Sequence, residues 1–139
     1  MLFKEYKKKR IQGESYFNLF HTLQALYNDE LDEMLVYIQD MPNQEYKNGR
    51  TLLVFCDNYL LKVTFDESNV EVRHVRYSDI QFAFVRKESR YPEEYEPNTL
   101  IININNEEIK LNPLKDFSPS VAMNYLNTTI DIFKLLLKK

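Results

Sequence analysis

Residues 49–65 read GRTLLVFCDNYLLKVTF, and the register of this stretch decides the fold. Centring a two-residue turn on Asp57-Asn58 sets Cys56 opposite Tyr59, Val54 opposite Leu61 and Leu52 opposite Val63. Every pair on that face is apolar or aromatic, as a hairpin with one buried face requires. A slip of one residue would carry the whole set to the other face, so the register is strongly specified.

The same pattern recurs downstream. A turn at Asn105-Asn106 sets Ile102 opposite Ile109 and Leu100 opposite Leu111. Between the two hairpins, Val70 to Tyr77 and Ile80 to Arg86 read as strands, the first entered through an Asp66–Asn69 turn. Ser78-Asp79 falls where one strand hands over to the next, and both side chains are suited to bonding nearby backbone N–H groups. Centring a turn on Asn48-Gly49 gives a weaker match, with a strand over Gln44 to Lys47 as its outcome.

Upstream, the period changes from 2 to 3.6. Tyr16, Leu19, Phe20, Leu23, Leu26 and Tyr27 begin an apolar stripe that continues through Leu31, Met34, Leu35, Ile38 and Met41. This predicts a helix or helix pair with Ser15 as N-cap, a break at Asn28-Asp29 and an end at Pro42-Asn43. Such a stripe must be covered by the sheet, by the C-terminal helix, or by a second copy in a homodimer. At the other end, Ser118-Pro119-Ser120 supplies a cap and a first-turn proline for an amphipathic helix running to Leu137.

The run NGRTLLVFCDNYLLKVTF, followed by VRYSDIQFAFVRKE, resembles the first half of bacterial pleckstrin-homology-like (PH-like) domains, a family of uncharacterised role. Gly49, Asp57, Asn58, Tyr77, Ser78, Asp79 and Ile80 occupy the matching places. The resemblance spans residues 44–139. It implies an α+β fold in which a six- or seven-stranded antiparallel barrel or sheet is closed by a C-terminal helix. Residues 1–139 then form a single domain, with 1–42 as an added helical N-terminal element. The alternative architecture is a nuclear-transport-factor-like cone, which also begins with long helices and holds a pocket for a small molecule or lipid; the helix after the last hairpin speaks against it. Lipid-binding PH relatives place Lys and Arg around the loop between their first two strands. Here Asp57-Asn58 carries an acid, and Asn48-Gly49 is flanked only by Lys47 and Arg50, a departure from that pattern.

Composition narrows the function classes. The 139 residues are 44% hydrophobic and 28% charged, with a net charge of −3 and two glycines, so there is little material for phosphate-cradling loops and no field drawing the chain to nucleic acid. The single Cys56 lies in an apolar run and reads as a buried thiol. No apolar run approaches the ~18 residues that span a bilayer, and no secretory signal pattern follows the charged start, so the expected location is cytoplasmic. His21 and His74 lack ligand spacing. The acidic cluster Asp29, Glu30, Asp32 and Glu33 reads as a solvated helix face.

These observations predict no catalytic, metal or cofactor site and no enzyme activity. The expected role is a non-catalytic interaction module with an unidentified protein partner. Two segments are the candidate contacts. One is the basic run Lys7, Lys8, Lys9 and Arg10, which otherwise reads as a frayed soluble terminus. The other is the long loop 86–98, with Tyr91 and Tyr95 as amphipathic anchors.

Overall fold

The computed structural model describes residues 1–40, 49–86, 99–118, 121, 122, 125 and 127–139. The chain is α+β, with N-terminal helices, two antiparallel sheets and a C-terminal helix. It divides into two compact units, Met1–Val75 and Arg76–Lys139.

In the first unit, α1 (Phe3–Arg10), a 3-10 turn (Glu14–Tyr16) and α2 (Phe17–Tyr27) precede β1 (Leu35–Gln39), β2 (Arg50–Phe55), β3 (Tyr59–Phe65) and β4 (Val70–Arg76). The sheet order is β1-β2-β3-β4. The β2–β3 register is the expected one, with Leu52 opposite Val63 and Val54 opposite Leu61. Cys56 N–H closes the hairpin on the Tyr59 carbonyl at 3.0 Å. At the next turn the Asp66 carboxylate accepts the Ser68 and Asn69 N–H groups at 2.8 and 2.7 Å, which holds its pKa below the usual range.

Because side chains alternate along a strand, Val36, Ile38, Leu52, Val54, Leu61 and Val63 share one face. They pack with Phe3 and Tyr6 of α1 and with Leu19, Phe20 and Leu23 of α2. Burial of each such side chain stabilises by roughly 1.5–3 kcal/mol before ordering entropy is counted.

The helical stripe stops at Tyr27, and Met41 and the end expected at Pro42-Asn43 lie outside the described residues. Helix α2 starts at Phe17 with no side-chain cap, so Ser15 does not serve as N-cap. It ends at Asn28, whose φ of 53° is left-handed backbone that stops a helix. Turns lead from there to Leu35–Gln39, which is a strand paired antiparallel with β2. The acidic cluster therefore lies on turns and not on a helix. Leu35, Ile38 and their neighbours mimic helical spacing because this five-residue strand is buried on both faces, where periodicity cannot separate the two states. The N-terminus is not frayed. Leu2 bridges Leu35, Val36 N–H donates to the Met1 carbonyl at 3.0 Å, and Phe3 N–H donates to the Met34 carbonyl at 2.9 Å. These bonds cover part of the open edge of β1, which would otherwise present unpaired backbone groups.

Gly49 enters β2 with φ of 90°, and a Cβ there would sit 2.8 Å from the Phe65 carbonyl oxygen. Strain and clash act together, so Gly49→Ala is expected to destabilise by about 1–3 kcal/mol. Urea titration reads this directly, and a midpoint unchanged from wild type would contradict it. The strand proposed over Gln44 to Lys47 lies outside the described residues.

In the second unit, Tyr77–Asp79 forms a 3-10 turn, so the Ser78-Asp79 corner is helical, and the Asp79 carboxylate pairs with Arg76 at 3.2 Å. Strands β5 (Ile80–Val85), β6 (Thr99–Ile104) and β7 (Glu107–Leu111) follow in spatial order. Ile102 faces Ile109 and Leu100 faces Leu111, as the sequence predicts. Asn105 and Asn106 hold φ of 49° and 68°, the signature of a primed hairpin turn that asparagine tolerates.

A short helix not foreseen from the sequence, α3 (Pro113–Asp116), is capped reciprocally. The Asn112 side chain accepts the Leu114 N–H at 3.1 Å, and the Asp116 carboxylate accepts the Asn112 N–H at 3.1 Å. Pro119, Ser120 and Leu126 lie outside the described residues, and α4 is the helix Thr128–Leu137. Its Phe133 ring meets Phe82 and Phe84 of β5 at 5.5 and 5.6 Å. Ala122, Tyr125, Thr129, Ile132 and Leu136 are buried, and Leu137 is exposed.

Candidate functional site

The candidate site lies at one end of the first unit's sheet, where α1, the 3-10 turn, β1 and β2 converge. Helix α1 turns Phe3, Tyr6 and Arg10 to one side, because positions i, i+3 and i+7 share a helix face. Tyr6 is buried, and its hydroxyl donates to Asp40 Oδ2 at 3.3 Å. Arg10 Nε donates to the same oxygen at 3.3 Å, and the Tyr16 hydroxyl donates to it at 2.9 Å. Asp40 itself is 5% exposed. Continuing the β1–β2 register one step beyond Gln39 and Thr51 sets Asp40 opposite Arg50.

The Tyr16 ring organises the surroundings. It stacks near Phe20 at 6.3 Å and meets Phe65 at 5.8 Å. Both guanidiniums reach it, with the Arg10 carbon 5.9 Å and the Arg50 carbon 5.4 Å from its centre. These are cation–π distances, and they hold two like charges beside one ring. Asp40 offsets Arg10. Among the described residues, no carboxylate does the same for Arg50. Burial pushes the Tyr6 and Tyr16 hydroxyls above the ordinary tyrosine range, and the negative charge of Asp40 adds to the effect.

The basic run expected to make partner contacts is the last turn of α1. Arg10 is tied to Asp40, whereas Lys7, Lys8 and Lys9 have no ion pair among the described residues. Lys4 is anchored at the other end of the helix. Its side chain pairs with Glu33 at 2.6 Å, and its N–H donates to the Asp32 carbonyl at 3.1 Å. Thus the acidic turn docks the start of α1. Tyr91 and Tyr95 lie outside the described residues.

Sequence reading did not assign Tyr6, Tyr16 and Asp40 to a site. The signal was there in part: Asp40 closes an alternating run of Val36 and Ile38, so a strand at that place would carry a carboxylate on the buried face.

The remaining chemistry-bearing residues are accounted for by packing. Cys56 is buried, its Sγ lies 3.8 Å from the Val54 carbonyl, and burial pushes its thiol up to about 11, far from a reactive thiolate. Tyr59, pushed up to about 12 by burial and the neighbouring thiol, stacks on His74 at 4.0 Å and on Tyr27 at 6.3 Å. His21 stacks on the exposed Phe17 at 5.7 Å. Among the described residues, no three His, Cys, Asp or Glu side chains gather as a metal site, and no helix is long and apolar enough to cross a membrane.

In the second unit an open basin of about 660 Å³ is lined by Ser78, Asp79, Gln81, Asn103, Asn105 and Asn106. Its walls are polar throughout, unlike the mostly apolar lining of pockets that enclose drug-sized ligands. No family model, no curated protein and no solved structure matches this chain.

Proposed function

We propose that this chain is a non-catalytic interaction module of the PH-like kind, and that its role is to bind another protein. The order of seven described strands followed by a helix supports the PH-like part of the reading. What carries the protein-binding part is the state of α1. The helix is locked onto the sheet through Leu2, Phe3, Tyr6 and Arg10, yet it leaves three consecutive lysines without an ion pair among the described residues. A helix held this firmly presents its charges at low entropic cost, which favours recognition over mere solvation.

Charge arrangement favours a protein over an anionic sheet of lipid or a nucleic acid. Glu5 shares α1 with the lysines, and Asp32 and Glu33 flank its first turn. A uniformly negative surface would meet these acids as well as the lysines, whereas a protein can present both signs. The whole chain carries −3, which also opposes a general attraction to polyanions.

Immobilised chain incubated with an extract of its native host is expected to retain a protein in near-stoichiometric amount, read by mass spectrometry. A parallel thermal-shift screen of metabolites and lipids is expected to leave the melting temperature in place. Stabilisation by several degrees from one compound class, with no protein retained, overturns the reading in favour of a small-ligand domain.

A further inference from the structure

We infer that the polar basin of the second unit binds a neutral saccharide. This site goes beyond the protein-binding reading and uses a different part of the chain. Its chemistry, its place on the sheet and its rigidity each point to such a ligand.

The basin of about 660 Å³ has the size of a small-molecule site, for which roughly 300–1,000 Å³ is usual. Four carboxamides line it, those of Gln81, Asn103, Asn105 and Asn106, together with the Ser78 hydroxyl and the Asp79 carboxylate. A carboxamide carries no charge and offers two donors and an acceptor. A sugar hydroxyl likewise donates and accepts, so the two sets of groups match. Other ligand classes fit less well. Among the described residues no Lys or Arg lines the basin, and Asp79 would repel an anion. A metal ion would find one carboxylate, already paired with Arg76 at 3.2 Å. An apolar ligand would find no apolar side chain in the lining.

Gln81 of β5 and Asn103 of β6 are cross-strand partners. Alternation sets them on the face opposite Phe82, whose ring packs against Phe133 of α4. Side chains so opposed stand about 5 Å apart, comparable with the span of a sugar ring. Asparagine is disfavoured inside strands, and the turn that follows is made by Asn105 and Asn106 without Asn103. Neither strand pairing nor turn geometry therefore explains a half-buried asparagine at position 103.

The groups are also held in place. Asn105 and Asn106 sit at φ of 49° and 68° in a two-residue turn, and Ser78 and Asp79 belong to the 3-10 turn Tyr77–Asp79. A ligand binding there has little backbone to order, which lowers the cost of association. Residues 87–98 join the strands at their other end, beyond the Val85–Thr99 pair. Because the basin is open, it covers one side of a sugar ring, and affinity falls in the millimolar range. A metabolite screen at lower concentrations therefore leaves the melting temperature in place.

The test is amide-resolved NMR of the full chain, titrated separately with maltose, cellobiose and lactose into tens of millimolar. At least one disaccharide should shift the signals of Ser78–Gln81 and Asn103–Asn106 saturably, and inorganic phosphate at the same concentration should leave them in place. Gln81→Ala/Asn103→Ala should raise the dissociation constant fivefold or more. Asn105→Gly/Asn106→Gly should do the same, since glycine keeps the left-handed turn while removing both amides. Circular dichroism melts check that the variants stay folded. The inference is overturned if no disaccharide shifts these signals, if the shifts lie elsewhere in the chain, if phosphate shifts them equally, or if both folded variants bind as wild type does.

Discussion

Leu23→Asp is expected to abolish the folded state of the Met1–Val75 unit. Leu23 is 1% exposed and sits in the cluster that joins α2 to the sheet through Val36, Leu52, Val54 and Leu61. Truncating a buried leucine to alanine already costs about 2–5 kcal/mol. A buried carboxylate with no partner adds several kcal/mol more or forces the site open to water. Typical domains have about 5–15 kcal/mol in total, so the sum reaches the scale of the whole stability. Far-ultraviolet circular dichroism should show loss of the cooperative melt, and Leu23→Ala should give an intermediate shift. Leu35→Asp should cost less, because Leu35 opens β1 and is only half-buried. A Leu23→Asp protein melting within a few degrees of wild type would show that the α2 stripe is not core.

The two hairpins were legible because their information is local. Asp57-Asn58 and Asn105-Asn106 each join strands whose partners lie a few residues away, and alternation sets the register without reference to anything distant. The Asp66 turn was legible for the same reason. Strand β1 was not, because a short strand buried on both faces has no alternation to read. Helix α1 was not, because eight mostly charged residues are too few to form a stable helix alone. Its order comes from Phe3, Tyr6 and the bridge at Leu35, contacts some thirty residues away in sequence.

The candidate site inherits both difficulties. Lys7 to Arg10 stood out as a charge run, but Tyr6, Arg10 and Tyr16 find Asp40 across separations of 34, 30 and 24 residues. That convergence depends on α1 docking and on β1 being a strand, so it could not be read before either was known. Arg50 was noted only as a flank of Gly49, and its place beside Tyr16 follows from the same docking.

Asp40→Ala should carry the second largest cost, about 2–4 kcal/mol. Removing a buried carboxylate that pairs with a cation and accepts two hydroxyls leaves three donors short of an acceptor, each an unmade bond in a partly dry site. Tyr6→Phe and Tyr16→Phe remove one donor each and should cost nearer 1 kcal/mol apiece. The cluster also sets a pH dependence whose sign follows from the raised hydroxyls. A group whose folded pKa lies above its unfolded value contributes fully below the unfolded value, about 10 for tyrosine, and its contribution is lost as pH rises through the folded one. The contribution of these two tyrosines should therefore hold up to about pH 10 and fall above it, while that of Cys56 begins to fall near pH 9. Cys56, raised to about 11, and Tyr59, raised to about 12, contribute losses of the same sign. The double variant Tyr6→Phe/Tyr16→Phe separates the contributions: it should be weaker at pH 8 yet lose less between pH 8 and pH 11 than wild type, by urea titration at each pH. An equal alkaline loss in both proteins would mean that the tyrosines at Asp40 do not set the alkaline limit, which would then lie with other raised groups such as Cys56, Tyr59 and Tyr27.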